Sequence, residues 1–175
     1  MEEAQPDDIL ELDELWSFVY EKTNQQWLWS ALCRRTRQVV AYVIGDHSMN
    51  TCRRLFKKIP YEYRKCHSFS DFWKTYKAIM PEQTHQCVGK ESGKTAHMER
   101  WYNTLRQRNA RDVRKTLSFS KSEEWHHMVT KLLITNLIYM EPLNHLPLPK
   151  LPPPTARLTT LCTISTTSRR RKSKS

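Results

Sequence analysis

Three acidic residues, Asp13, Asp71 and Glu99, stand in stretches that otherwise read as buried structure. Asp13 lies inside the apolar run ILELDELWSFV, Asp71 near the end of CHSFSDFW, and Glu99 in the first turns of a helical segment that begins at Ala96. A carboxylate inside a strand costs free energy unless it is paired, solvated or bound to a cation. Adjacent parallel strands would bring Asp13 and Asp71 together, and a helix packed on that sheet would aim Glu99 at both. Three such groups can hold two divalent cations about 3.5–4 Å apart, one serving the attacking oxygen and one the leaving oxygen of a phosphodiester. Oxygen ligands and a phosphate substrate favour Mg²⁺, with Mn²⁺ as substitute. On spacing alone Asp46, Glu91 and Asp112 compete for the same role. Glu14, beside Asp13, is expected on the opposite sheet face and outside the triad.

The elements that must position these acids follow from the apolar patterning. Ile9 to Val19, Gln26 to Cys33 and Gln38 to Ile44 are runs rich in aromatic and β-branched residues, separated by polar stretches of hairpin length. They predict three consecutive antiparallel strands, with Trp16, Trp27 and Trp29 as core or half-core residues. A short helix follows, N-capped by Ser48 and carrying Leu55, Phe56 and Ile59 on its apolar face before Pro60. CHSFSDFW predicts a brief fourth strand, and Gln86 to Val88 a fifth; Trp73 and Tyr76 then pack near the acids. Beyond the helix at Ala96, a second helix is signalled by Ser120 and Glu123 as a capping box. In it Trp125, Met128, Val129, Leu132, Leu133, Leu137 and Met140 recur at helical spacing, a stripe expected to pack in the core rather than hold a cofactor.

Charge narrows the partner. Met1 to Glu14 holds seven acids and no Lys or Arg, whereas Leu15 to Met140 holds 22 basic residues against ten acids. A strongly basic body favours a polyanion, nucleic acid before a membrane surface. Arg100 to Lys121 carries Arg100, Arg106, Arg108, Arg111, Arg114, Lys115 and Lys121 against Asp112 alone. Arg106 lies about two helical turns from Glu99, on the same face, where it can meet DNA held over the metals. The five cysteines form no Cys-x-x-Cys pair, so neither a zinc knuckle nor a redox motif is expected. No run reaches the ~18 apolar residues of a membrane span, and the N-terminus lacks signal-peptide character. These features suggest a soluble, cytoplasmic protein. From Pro142 the chain becomes Pro- and Ser/Thr-rich and ends in a basic cluster, the composition of a disordered tail.

The words LDELWSFV, SDFWKTY, HMERWYNTLRQR and RKTLSFSKSEEWH, in this order from about Leu10 to Met140, together resemble the insertion sequence one family of transposases. That resemblance implies a DDE-type enzyme with a ribonuclease-H-like mixed α/β sheet and flanking helices over residues 9–140. An acidic extension (1–8) would precede it and the tail (141–175) would follow. Residue by residue, it implies that Asp13, Asp71 and Glu99 are the catalytic, metal-binding acids. The implied reaction is cleavage of double-stranded DNA at element ends to expose a 3′-hydroxyl, followed by attack of that hydroxyl on target DNA. It further implies a nucleoid-associated homo-oligomer and a zinc-finger/helix-turn-helix half encoded upstream, this chain being the catalytic half. Ala96 and Tyr102 stand where the family usually has asparagine, which removes amides from the neighbourhood of the site. A nuclease or resolvase of the same fold, or a truncated remnant that only binds DNA, is the alternative.

Overall fold

The computed structural model describes residues 2–71, 74–113 and 115–140, with the side chains of 90 and 138–140 excepted. Residues 141–175 and Trp73 lie outside the described residues, and the expectations placed on them with them. Five strands form one mixed sheet in the order β3-β2-β1-β4-β5. The first three, β1 (Ile9–Val19), β2 (Glu21–Cys33) and β3 (Val39–Gly45), are antiparallel. β4 (His67–Ser70) joins β1 in parallel, and β5 (His85–Cys87) joins β4 in parallel.

Helices cover both faces, because alternating residues of β1 are apolar on each side. Leu10 and Leu12 pack with Trp29, Val43 and the helices α1 (Met49–Lys58) and α3 (Lys74–Ile79) through Cys52, Leu55 and Tyr76. Leu15 packs on the other face with Leu28, Met98, Trp101 and Leu105 of α4 (Ala96–Arg108) and with Ile134 and Leu137 of α5 (Glu123–Met140). Ser48 caps α1, its hydroxyl accepting from the Thr51 N–H. The single turn α2 (Tyr61–Arg64) and helix α3 carry no strong periodic signal and were not expected from the sequence.

The start and the facing of α5 depart from expectation. Ser122, not Ser120, caps the helix, accepting from the Trp125 N–H at 3.2 Å. Ser120 is buried and bonded elsewhere: its carbonyl accepts from the Tyr20 N–H and its hydroxyl meets His126 Nδ1 at 3.0 Å. The inward side of α5 carries His126, Thr130, Ile134 and Leu137, while Trp125, Met128 and Leu132 face solvent. Three of the seven residues of the expected core stripe are therefore surface, and the side chain of Met140 lies outside the described residues.

His126 is the buried polar pin of this layer. Its Nε2 meets the Ser17 hydroxyl at 3.0 Å and its ring is 2% exposed. Burial, helped by the charges of His127 and Arg111, lowers its pKa to about 4. The native state thus binds fewer protons than the unfolded chain between pH 6.5 and 4. The stability from a neutral His126 is present above pH 6.5 and lost as pH falls through that window. We expect a loss of about 2 kcal/mol from this residue between pH 7 and pH 4.5. Urea midpoints at the two values, compared with those of His126→Gln, check it: the substituted protein should show a flatter pH profile.

Candidate metal centre

β1 and β4 pair only from Ile9↔His67 to Glu11↔Phe69. Past that point the ladder ends: β4 stops at Ser70 while β1 runs on to Val19, and the carboxyl-end side of parallel strands is the usual place for a ligand in an open α/β sheet. Asp13 stands on β1 two residues beyond the last pair, and Asp71 follows β4 directly. Their carboxylates come together there, joined by Glu14: an oxygen from each of Asp13, Glu14 and Asp71 lies within 4.8 Å of the others.

Glu14 reaches this group from the other sheet face. The pleat puts it with Leu10 and Leu12 beside Tyr76, while Asp13 faces α4, as expected from alternation. The Asp13 carboxylate, however, folds along the strand and accepts from the Glu14 N–H at 2.8 Å. The longer Glu14 side chain then meets it at the unpaired strand edge. Burial pushes the Glu14 carboxyl up to about 8, with the Tyr76 hydroxyl opposing and the charges of Asp71 and Asp13 adding to the rise. Its Oε1 has no hydrogen-bond partner among the described residues. An all-oxygen set with an unsatisfied buried oxygen and mutual repulsion fits a hard divalent cation.

Glu99 does not belong to that group of three. It is exposed in the first turn of α4, and two contacts fix that turn beside Asp13. Glu11, fully buried in β1, accepts through Oε2 from the backbone N–H groups of His97 (2.9 Å) and Met98 (3.0 Å). Its Oε1 meets Arg34 Nε at 2.8 Å and His97 Nδ1 at 2.6 Å. A strand carboxylate thus caps α4, whose own N-cap residue, Thr95, makes no side-chain bond, and its charge suits the helix N-terminus. One turn on, the buried Tyr102 hydroxyl donates to the Asp13 carbonyl at 2.6 Å and lies 3.1 Å from that of Leu28. Tyr102 therefore links α4 to the strand that carries Asp13.

Sequence reasoning missed Glu11, and a signal for it exists. Glu11 and Asp13 alternate onto one face, and the hairpin register pairing Leu10 with Cys33 brings Arg34 to the end of β1. His47 was also missed; it stacks on Trp27 with ring centroids 4.1 Å apart. Burial lowers its pKa, and the charge of nearby Asp71 works against that shift.

Two of the competing acids have other partners. Asp46 accepts from the Ser48 hydroxyl at the start of α1. Asp112 is buried and accepts from Asn109 Nδ2 at 2.7 Å; burial raises its pKa to about 6, against that bond and the charge of Arg106.

The basic residues after Glu99 divide by environment. Arg100, Arg108, Lys115 and Lys121 are exposed. Arg106 is half-buried near Asp112 and Tyr102, and Arg111 Nη1 donates to the Ser120 hydroxyl at 3.4 Å. Arg114 lies outside the described residues. Among the described residues no helix is long and apolar enough to cross a membrane.

The chain as a whole is similar to known proteins. Residues 9–140 match the IS1 transposase family. The Shigella dysenteriae insertion element iso-IS1n protein InsB is 41% identical over 122 residues, 69% of this chain and 89% of that protein. The insertion element IS1 4 protein InsB of Escherichia coli (strain K12) is 38% identical over 120 residues, covering 68% and 69%. The insertion element IS1 protein InsB of Shigella flexneri is 37% identical over 119 residues, covering 68% and 88%. With three quarters of its length inside the family match and relatives 37–41% identical over about two thirds of it, the chain belongs to the IS1 transposase family.

Proposed function

We propose that this transposase cuts and joins double-stranded DNA with divalent cations held by Asp13 and Asp71, Glu99 completing the set and Glu14 standing beside it. The observation that carries the reading is the meeting of the Asp13 and Asp71 carboxylates at the end of the β1–β4 ladder. The strand order, with three antiparallel strands followed by two parallel ones, supports a ribonuclease-H-like fold. When bound, a pair of Mg²⁺ or Mn²⁺ ions supplies positive charge at the attacking and leaving oxygens of an in-line phosphodiester displacement.

The chain's own residues prepare the geometry. Asp13, on β1, and Asp71, directly after β4, offer oxygens that meet past the end of the β1–β4 ladder. Glu11 and Tyr102 hold the first turns of α4, which carry Glu99, against β1. Exposed Arg100, Arg108, Lys115 and Lys121 bind the DNA backbone, a task for a protein acting on nucleoid DNA in the cytoplasm.

The test is strand transfer by purified protein on pre-cut element ends with Mg²⁺ or Mn²⁺. Joined product is expected; cleavage without joining would indicate a nuclease, and binding alone a remnant. A second expectation concerns the basic residues. Changing Arg100, Arg108 and Lys121 together to alanine should lower the slope of log affinity against log salt by about three, since each phosphate contact contributes about one. Arg106 and Arg111, which have partners inside the protein, should change that slope little. An unchanged slope in the triple variant would return the exposed residues to a merely solvated helix face.

A further inference from the structure

We propose that the outward face of α5 is a self-association surface, on which a second copy of this chain packs its own α5 in antiparallel orientation. Trp125, Met128 and Leu132 recur at intervals of three and four residues and so form one stripe. They are 61%, 50% and 59% exposed. The opposite side of the helix is already occupied: His126, Thr130, Ile134 and Leu137 are buried against the sheet. The stripe is therefore surplus to the protein's own core. A tryptophan, a methionine and a leucine aligned over two helical turns have the composition and spacing of a helix–helix contact.

Charge selects the partner and its direction. Glu124 and Lys131, both exposed, each precede a stripe residue by one position and lie seven residues apart, so they occupy the same edge of the stripe. In an antiparallel pair with Trp125 opposite Leu132 of the second copy, this edge meets the same edge of the other helix. Glu124 of one copy then faces Lys131 of the other, and the two-fold axis repeats the pair. A parallel pair would set the edge against the opposite one, where Val129 offers no charge. Because the contact is isologous it closes on two copies rather than growing into a filament. None of the metal-site carboxylates takes part, so the inference stands or falls separately from the catalytic reading.

Sedimentation velocity on the full chain, without DNA or divalent metal, tests it. A dimer is expected, with a dissociation constant raised at least about tenfold by Leu132→Glu. Leu132 is exposed, so circular dichroism should show the fold unchanged. Glu124→Lys and Lys131→Glu should each weaken the dimer. Mixing these two variants should restore association as a heterodimer, and combining them in one chain should restore the homodimer. A monomer at about 100 µM overturns the proposal, whether the stripe is then bare or covered by residues 141–175. So does a dimer indifferent to Leu132→Glu, or charge variants that fail to rescue one another.

Discussion

Replacing Asp13 with asparagine is expected to lower metal-dependent cleavage and joining of DNA by about 10³-fold or more while the protein stays folded. The amide keeps the shape of the side chain but removes one of the negative charges that offset the cations. At this site those charges repel: burial pushes the Glu14 carboxyl up to about 8, and Asp71 and Asp13 add to the rise. Without metal, the substituted protein should therefore be more stable than its parent, by about 1 kcal/mol. With metal the order reverses, because a cation that binds only the native state stabilises it in proportion to its occupancy. Thermal unfolding with and without Mn²⁺ reads both effects. An Asp13→Asn protein that joins DNA as well as its parent would make Asp13 an ordinary strand acid.

The second large effect belongs to Glu11. Removing its carboxylate (Glu11→Ala) leaves two backbone N–H groups, a histidine nitrogen and a guanidinium without the acceptor they share. The carboxylate is fully buried, while Arg34 and His97 are about one quarter exposed and can partly turn to water. The cost is expected near 3 kcal/mol, at the lower end for a broken buried pair. Glu11→Gln keeps an acceptor for the helix N–H groups but presents a second donor to Arg34, so a smaller loss is expected. Because the clamp fixes the turn that carries Glu99, both variants should also lower strand transfer. Urea denaturation measures the first effect, and hydrogen exchange at the His97 and Met98 amides locates it. A Glu11→Ala protein within about 0.5 kcal/mol of the parent would contradict the clamp.

How much of this could be read in the sequence depended on whether one element or several decided a residue's place. Strand β1 was legible because its apolar alternation flanks the acids, and so was the parallel neighbour that brings Asp71 to Asp13. Glu14 joined the group because a strand edge left unpaired lets carboxylates from both faces meet, which alternation alone does not reveal. Glu11 read as one more strand acid, since its partners come from the turn after β2 and from a helix about 86 residues later. In α5 the apolar residues run nearly all round the helix, so periodicity could not choose a face. The choice fell to His126, fixed by Ser17 and Ser120, and it turned Trp125, Met128 and Leu132 outward. The basic segment was legible as composition, but the partners of Arg106 and Arg111 were not.

The most direct test of the metal site is anomalous X-ray scattering from crystals of the protein grown with a pre-cut DNA end and soaked in Mn²⁺. The account predicts manganese peaks within coordination distance of oxygens of both Asp13 and Asp71, with a second peak about 3.5–4 Å away and the Glu99 side chain rotated toward the pair. Saturating Mn²⁺ that leaves Asp13 and Asp71 without a peak, or that binds only at other residues, would contradict it.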